Sequence, residues 1–152
     1  MSSQHYWIAL QWADIARVLN TKERAIVCND DHRSDIEADL FDMVCRVREA
    51  VATNGSNSIS ADRALIPRTL RACALHILRV QWLTRYALPI TQDRKDASDA
   101  AEEMLKAVAD GTLAVMDENG DMPSHADESP AIVAPRPAYG NDGVGWYPTP
   151  NS

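Results

Sequence analysis

The sequence predicts an all-α fold, a small helical bundle of three to four main helices followed by an extended irregular C-terminal arm. Three observations predict it. Apolar residues recur at helical spacing through four stretches of the chain. β-Branched and aromatic residues never alternate with polar ones over the length of a strand, and Phe occurs once. Beyond Met116 the periodicity stops, in a segment that holds six of the eight Pro and four of the six Gly. The expected organisation is a helical domain over 1–116 and a Pro/Gly-rich acidic arm over 117–152.

The first helix is expected from Ile8, Trp12, Ile15 and Leu19, an i, i+4, i+7, i+11 stripe. Thr21 then suits the N-cap of a short helix through Ala25 and Ile26, which Asn29-Asp30-Asp31 ends with turn chemistry. Ser34 followed by Glu37 has the form of a capping box, opening a long helix. Its apolar face is Ile36, Leu40, Met43, Val44, Val47 and Val51, and Asn54-Gly55-Ser56 closes it. A third helix is expected from about Ala61-Asp62 to Tyr86, with Pro67 near its first turn and Pro89 as its stop. It is apolar nearly all round, through Ile66, Leu70, Cys73, Ala74, Ile77, Leu78, Trp82 and Leu83, which predicts a central position. The fourth helix follows Thr91 with Ala97, Ala101, Met104, Leu105 and Val108 inward, and Gly111 supplies a left-handed stop.

Charge narrows the function classes. The chain of 152 residues carries a formal −7, which weakens any role that grips nucleic acid over the whole surface. No apolar run approaches the roughly 20 residues that cross a bilayer, and the first residues lack the pattern of a secretory signal. Three Cys, an odd and sparse set, predict a reducing compartment without a disulfide framework. Residues 63–88 stand apart, with five Arg and no acid. On a helix, Arg68, Arg71, Arg79 and Arg85 fall on one side, interleaved with Leu75, Trp82 and Tyr86. Arg, Trp and Tyr over aliphatic stems is the composition of interface anchors, so these seven residues are the candidate subunit or partner interface. The alternative is a solvated face paired with acids of neighbouring helices.

Other chemistry finds little footing. Cys28 and His32 lack the second ligand pair that structural zinc needs, and Asp117-Glu118-Asn119-Gly120-Asp121 places its Gly wrongly for an EF-hand. His5, His32, His76 and His125 are scattered, no nucleophile elbow or phosphate loop is present, and His76 reads as a satisfied, partly buried imidazole. No catalytic, metal or cofactor residue is therefore expected. Residues 14–26 allow a helix-turn-helix, with Ala16, Asn20 and Ile26 at the small, turn and packed-aliphatic positions. A small DNA-binding regulator is thus the alternative function, and a host-directed or toxin–antitoxin interaction protein a third. Trp146 and Tyr147 are odd in a segment meant only for solvation, and suggest a docking element in the arm.

The order of elements resembles a known family. A short N-terminal helix, a second short one and a long helix with an acidic start precede Ile66-Pro67-Arg68-Thr69-Leu70-Arg71-Ala72-Cys73-Ala74, which runs on to Leu83-Thr84-Arg85-Tyr86. The closing helix ends in Ala109-Asp110-Gly111-Thr112-Leu113. Over residues 6–115 this is similar to the small head–tail connector (adaptor) proteins of tailed bacteriophages and prophages, of the Mu-like type. One departure is that Arg85-Tyr86-Ala87-Leu88-Pro89 follows the third helix, where the family carries its comparable element after the second. The resemblance implies a non-enzymatic virion protein of the neck, assembled in the host cytoplasm as a homo-oligomeric ring of about a dozen copies joined by heterologous contacts. It further implies the portal protein and a downstream tail or stopper protein as partners. Double-stranded DNA would pass through an acidic lumen without sequence-specific binding, while the arm, through Trp146 and Tyr147, would dock on a neighbour or the portal.

Overall fold

The structure is a computed structural model, and it describes residues 5–124. A short strand β1 (Trp7–Ala9) leads into α1 (Trp12–Val18), α2 (Thr21–Val27) and the long α3 (Arg33–Thr53), with a 3₁₀ turn at Asp30–His32 before α3. Then come β2 (Leu65–Pro67), a 3₁₀ turn at Arg68–Leu70, α4 (Arg71–Arg85) and α5 (Gln92–Ala109). The described residues are thus mostly helical, but they also contain a two-stranded antiparallel sheet that corrects the all-α expectation. Its register sets Trp7 opposite Pro67, Ile8 opposite Ile66 and Ala9 opposite Leu65.

Pro67 explains where the sequence expectation fails. It disfavours helical geometry at Ile66, so the segment runs extended and the helix begins at Arg71 rather than near Ala61. Extended, Leu65–Pro67 pairs with β1, and Ile8 joins a strand instead of the helical stripe it was assigned to. The ladder is continued by the Arg68 N–H, which donates to the Tyr6 carbonyl at 2.8 Å. Arg48 on α3 pins the preceding loop. Its guanidinium donates to the carbonyls of Ser60, Asp62 and Leu65 at 2.7–2.9 Å and lies 5.7 Å from the Trp7 ring centre.

Helix ends follow local chemistry. Asn20, not Thr21, caps α2: its side chain accepts from the Glu23 N–H, and the Glu23 carboxylate accepts from the Asn20 N–H, both at 2.9 Å. The box expected at Ser34 and Glu37 does not form. The 3₁₀ turn, held by the Asn29 side chain, already delivers the chain in helical geometry, so Ser34 lies inside the helix and Glu37 pairs with Arg33. At the end of α4, Leu88 N–H donates to the Leu83 carbonyl and Ala87 N–H to that of Thr84, a Schellman closure that puts Ala87 at φ +52°. Gly111 stops α5 at φ +80°, as its position predicts.

The core lies between α3, α4 and α5, with α1 and α2 laid over α4. The expected face of α3 is buried throughout, as are Ala101, Leu105 and Val108 of α5. Met104, expected inward, is exposed. Packing continues past Met116, where the arm was expected to begin. The Trp7 indole N–H donates to the Met116 carbonyl at 3.0 Å, and the Ser60 hydroxyl donates to Glu118. Residues 117–121 form a turn in which the Asp117 carboxylate accepts from the N–H groups of Asn119 and Asp121. Gly120 sits there at φ +87°, and a Cβ on it would come within 2.5 Å of the Tyr6 ring. Gly120→Ala should therefore cost about 1–2 kcal/mol in chemical denaturation, from the left-handed backbone and the displaced ring. No helix among the described residues is long and apolar enough to cross a membrane.

Candidate partner-binding surface

The structure gives the candidate interface residues mainly internal partners. Leu75 and Trp82 lie in the interior, with Trp82 0% exposed, and its indole N–H donates to the Asp39 carboxylate at 2.9 Å. Arg85 clasps the same carboxylate with two hydrogen bonds of 2.6 and 2.9 Å. Those bonds hold its proton more firmly than usual against the opposing effect of burial. Arg71 approaches the buried carboxylate of Asp14 at 3.8 Å, shared with Arg17. Arg79 is half-buried, reaches the Val18 carbonyl and has its pKa lowered by burial first and by Arg94 second. Tyr86 stacks on His32 with ring centres 4.3 Å apart. Of the seven, Arg68 alone is exposed with no internal partner of this kind, on the 3₁₀ turn beside a recess of about 300 Å³. The set is therefore not one outward face: α1, α2 and α3 cover α4 and supply the acids that its arginines meet. Trp146 and Tyr147 lie outside the described residues.

The helix-turn-helix expectation also meets different packing. Ile26, which that motif needs inside, is 42% exposed, and Ala16 is exposed as well. Asp14 and Glu23 are instead the buried members of the two short helices. Cys28 is half-buried, Cys45 exposed and Cys73 buried with its thiol 3.0 Å from the Met104 sulfur. Burial raises the pKa of Cys28 and Cys73. His32 Nδ1 meets the Ile26 carbonyl at 2.9 Å, so the ring that might have joined Cys28 at a metal is tied down elsewhere. Among the described residues no three His, Cys, Asp or Glu side chains stand together in a way that would hold a metal ion. His76 is partly buried as expected, but its Nδ1 has no hydrogen-bond partner, and burial and Arg79 lower its pKa.

A different surface stands out. Phe41, the chain's one phenylalanine, is 67% exposed on α3. It borders a groove of about 560 Å³ whose apolar wall is made by Leu10, Trp12, Leu40, Phe41 and Val44. Glu37, Asp62 and Arg63 form its charged rim, and the Arg33 guanidinium lies 5.2 Å from the Trp12 ring centre. Three separate segments converge here: the connection from β1 to α1, one side of α3, and the loop before β2. A concave apolar wall with an aromatic centre and a charged rim is the anatomy of a protein docking site. No protein-family model matches the chain, and neither a curated protein nor a solved structure matches it. The geometry of the groove therefore carries the functional argument. Sequence reasoning passed over Phe41 because it falls about 100° from Leu40, off the buried stripe. The signal available was the choice of a lone Phe at a position that should face water.

Proposed function

We propose that this chain is a non-enzymatic structural component of the tailed-phage neck, a head–tail connector that forms a ring under the portal and extends the DNA channel towards the tail. The observation that carries it is the Phe41 groove. Ionic and aromatic side chains of α4 are spent on holding the helices together, and the groove remains as an outward apolar surface shaped for another polypeptide. The succession of two short helices, a long one, a Pro-initiated central helix and a closing helix with a Gly stop supports the connector class. The groove replaces the arginine face as one of the two unlike patches a closed ring requires. In the assembled ring, the arm bearing Trp146 and Tyr147 docks on the neighbouring copy or the portal. The acidic balance of −7 suits a channel that lets DNA pass without gripping it.

The test is mass measurement and electron microscopy of the purified protein, alone and with a tailed-phage portal protein. Rings, or a stable portal complex, are expected, and a strict monomer that ignores the portal overturns the proposal. Phe41→Asp should change the unfolding free energy by less than about 0.5 kcal/mol, because the side chain is already in water. At a docking centre the same change should weaken portal capture or ring formation by roughly 30-fold or more. A gel-shift with the gene's own upstream DNA separates this function from the regulator alternative.

A further inference from the structure

We propose that the recess beside Arg68 is a binding site for a small phosphate monoester, its phosphate on the guanidinium and its ring against the apolar wall. The recess, of about 300 Å³, is lined by His5, Tyr6, Pro67, Arg68, Thr69 and Met116. Electrostatics is the first support. Arg68 has no carboxylate partner among the described residues, although the chain carries a formal −7. The acids nearest to the recess along the chain are committed elsewhere. Asp62 accepts from the Ala64 N–H, Asp117 from the N–H groups of Asn119 and Asp121, and Glu118 from the Ser60 hydroxyl. Asp14 of α1 lies with Arg17 and Arg71. A guanidinium left unpaired in an acidic protein, at the edge of a concave surface, presents its donor fork to an anion from outside.

The walls of the recess are also already in place. The Arg68 N–H donates to the Tyr6 carbonyl at 2.8 Å, which fixes the main chain beneath the guanidinium and leaves the side chain unused. The Met116 carbonyl accepts from the Trp7 indole at 3.0 Å, Pro67 is buried in β2, and the Tyr6 ring backs onto Gly120. A ligand therefore does not have to order the site as it binds. The donors select the anion. Beside the Arg68 fork, the lining brings the hydroxyl of Thr69 and the imidazole of His5. A carboxylate fills the fork with its two oxygens and leaves little for the other donors. The three terminal oxygens of a phosphate monoester serve all of them. Size and wall chemistry select the rest of the molecule. The volume lies at the lower end of the range for ligand pockets, which suits one ring and one phosphate rather than a dinucleotide. Tyr6, Pro67 and Met116 supply aromatic, methylene and thioether surface, the kind that packs on a flat ring.

Phenyl phosphate is the probe, titrated into the full chain and followed by nuclear magnetic resonance at the amides of Tyr6, Arg68, Thr69 and Met116. Saturable shifts are expected there, with a dissociation constant of about 1 mM or tighter. Inorganic phosphate has the charge without the ring and phenol the ring without the charge, so each should bind at least about tenfold more weakly. Benzoate should fall between them and phenyl phosphate. Arg68→Gln should weaken phenyl phosphate binding by about tenfold or more, and Arg68→Lys, which keeps the charge and loses the fork, should recover only part of it. Arg68 is exposed, so neither change disturbs the core. The inference is overturned by the absence of saturation at about 10 mM probe, or by shifts that ignore Arg68→Gln. Inorganic phosphate or benzoate binding as tightly as phenyl phosphate overturns it too. The recess shares no lining residue with the Phe41 groove, so the two proposals fail separately. Rings built by a protein blind to phenyl phosphate sink the site and leave the connector, whereas specific binding by a strict monomer that ignores the portal does the reverse.

Discussion

Trp82→Ala should lower the free energy of unfolding by about 3–5 kcal/mol, measured by urea denaturation of the full chain. The indole is completely enclosed at the meeting of α3 and α4, so truncation leaves a cavity that the surrounding helices fill only in part. A hydrogen bond to Asp39 is lost as well, although Arg85 keeps that carboxylate satisfied. Trp82→Phe separates the two contributions. It retains most of the bulk and loses the N–H donor, so a smaller loss of about 1–2 kcal/mol is expected. Had Trp82 anchored a second molecule, as its place among the arginines suggested, the isolated chain would melt almost unchanged while assembly failed. The structure makes the opposite expectation, with stability moving first.

That reversal shows what the sequence could and could not convey. Periodicity located the face of α3 and, Met104 apart, that of α5, because the residues of such a face report on the same neighbour at a fixed spacing. It also placed α4 at the centre, since only a helix touched from several sides is apolar nearly all round. A helical wheel states where an arginine points, however, and not which element lies there. Asp14, Asp39 and Glu23 reach α4 or its surroundings from positions tens of residues away, and no local pattern announces those meetings. The strands were hidden for a related reason. Three residues are too few to display alternation, and the pairing of Ile8 with Ile66 is a long-range fact. The groove combines both difficulties, since Leu10, Phe41 and Asp62 become neighbours only after the sheet has fixed the loop against α3. Pro67 was the one readable hint of that arrangement.

Glu23→Ala is the second substitution with a large expected effect, about 2–4 kcal/mol in the same assay. Only 7% exposed, Glu23 does two jobs with its two carboxylate oxygens. One closes the capping box at the start of α2 by accepting from the Asn20 N–H, and the other pairs with Arg94 of α5. Removing it frees a helix-end donor and leaves a largely buried guanidinium without its partner, beside the like charge of Arg79. The pH dependence gives the role a signature that lost packing would lack. Burial pushes the Glu23 carboxyl up, but hydrogen bonds from Arg94 and Asn20 and the charges of Arg94 and Arg79 together bring it below the ordinary 4.5. A carboxyl lowered in the folded state adds stability that is fully present above its unfolded value and disappears as pH falls through the folded one. Glu23→Gln should therefore be less stable than the parent at neutral pH, and the gap should narrow steadily once the pH drops below about 4.5. A gap that stays constant down to pH 2 would mean that shape rather than charge accounts for the loss, and that α2 is held to α5 by packing alone.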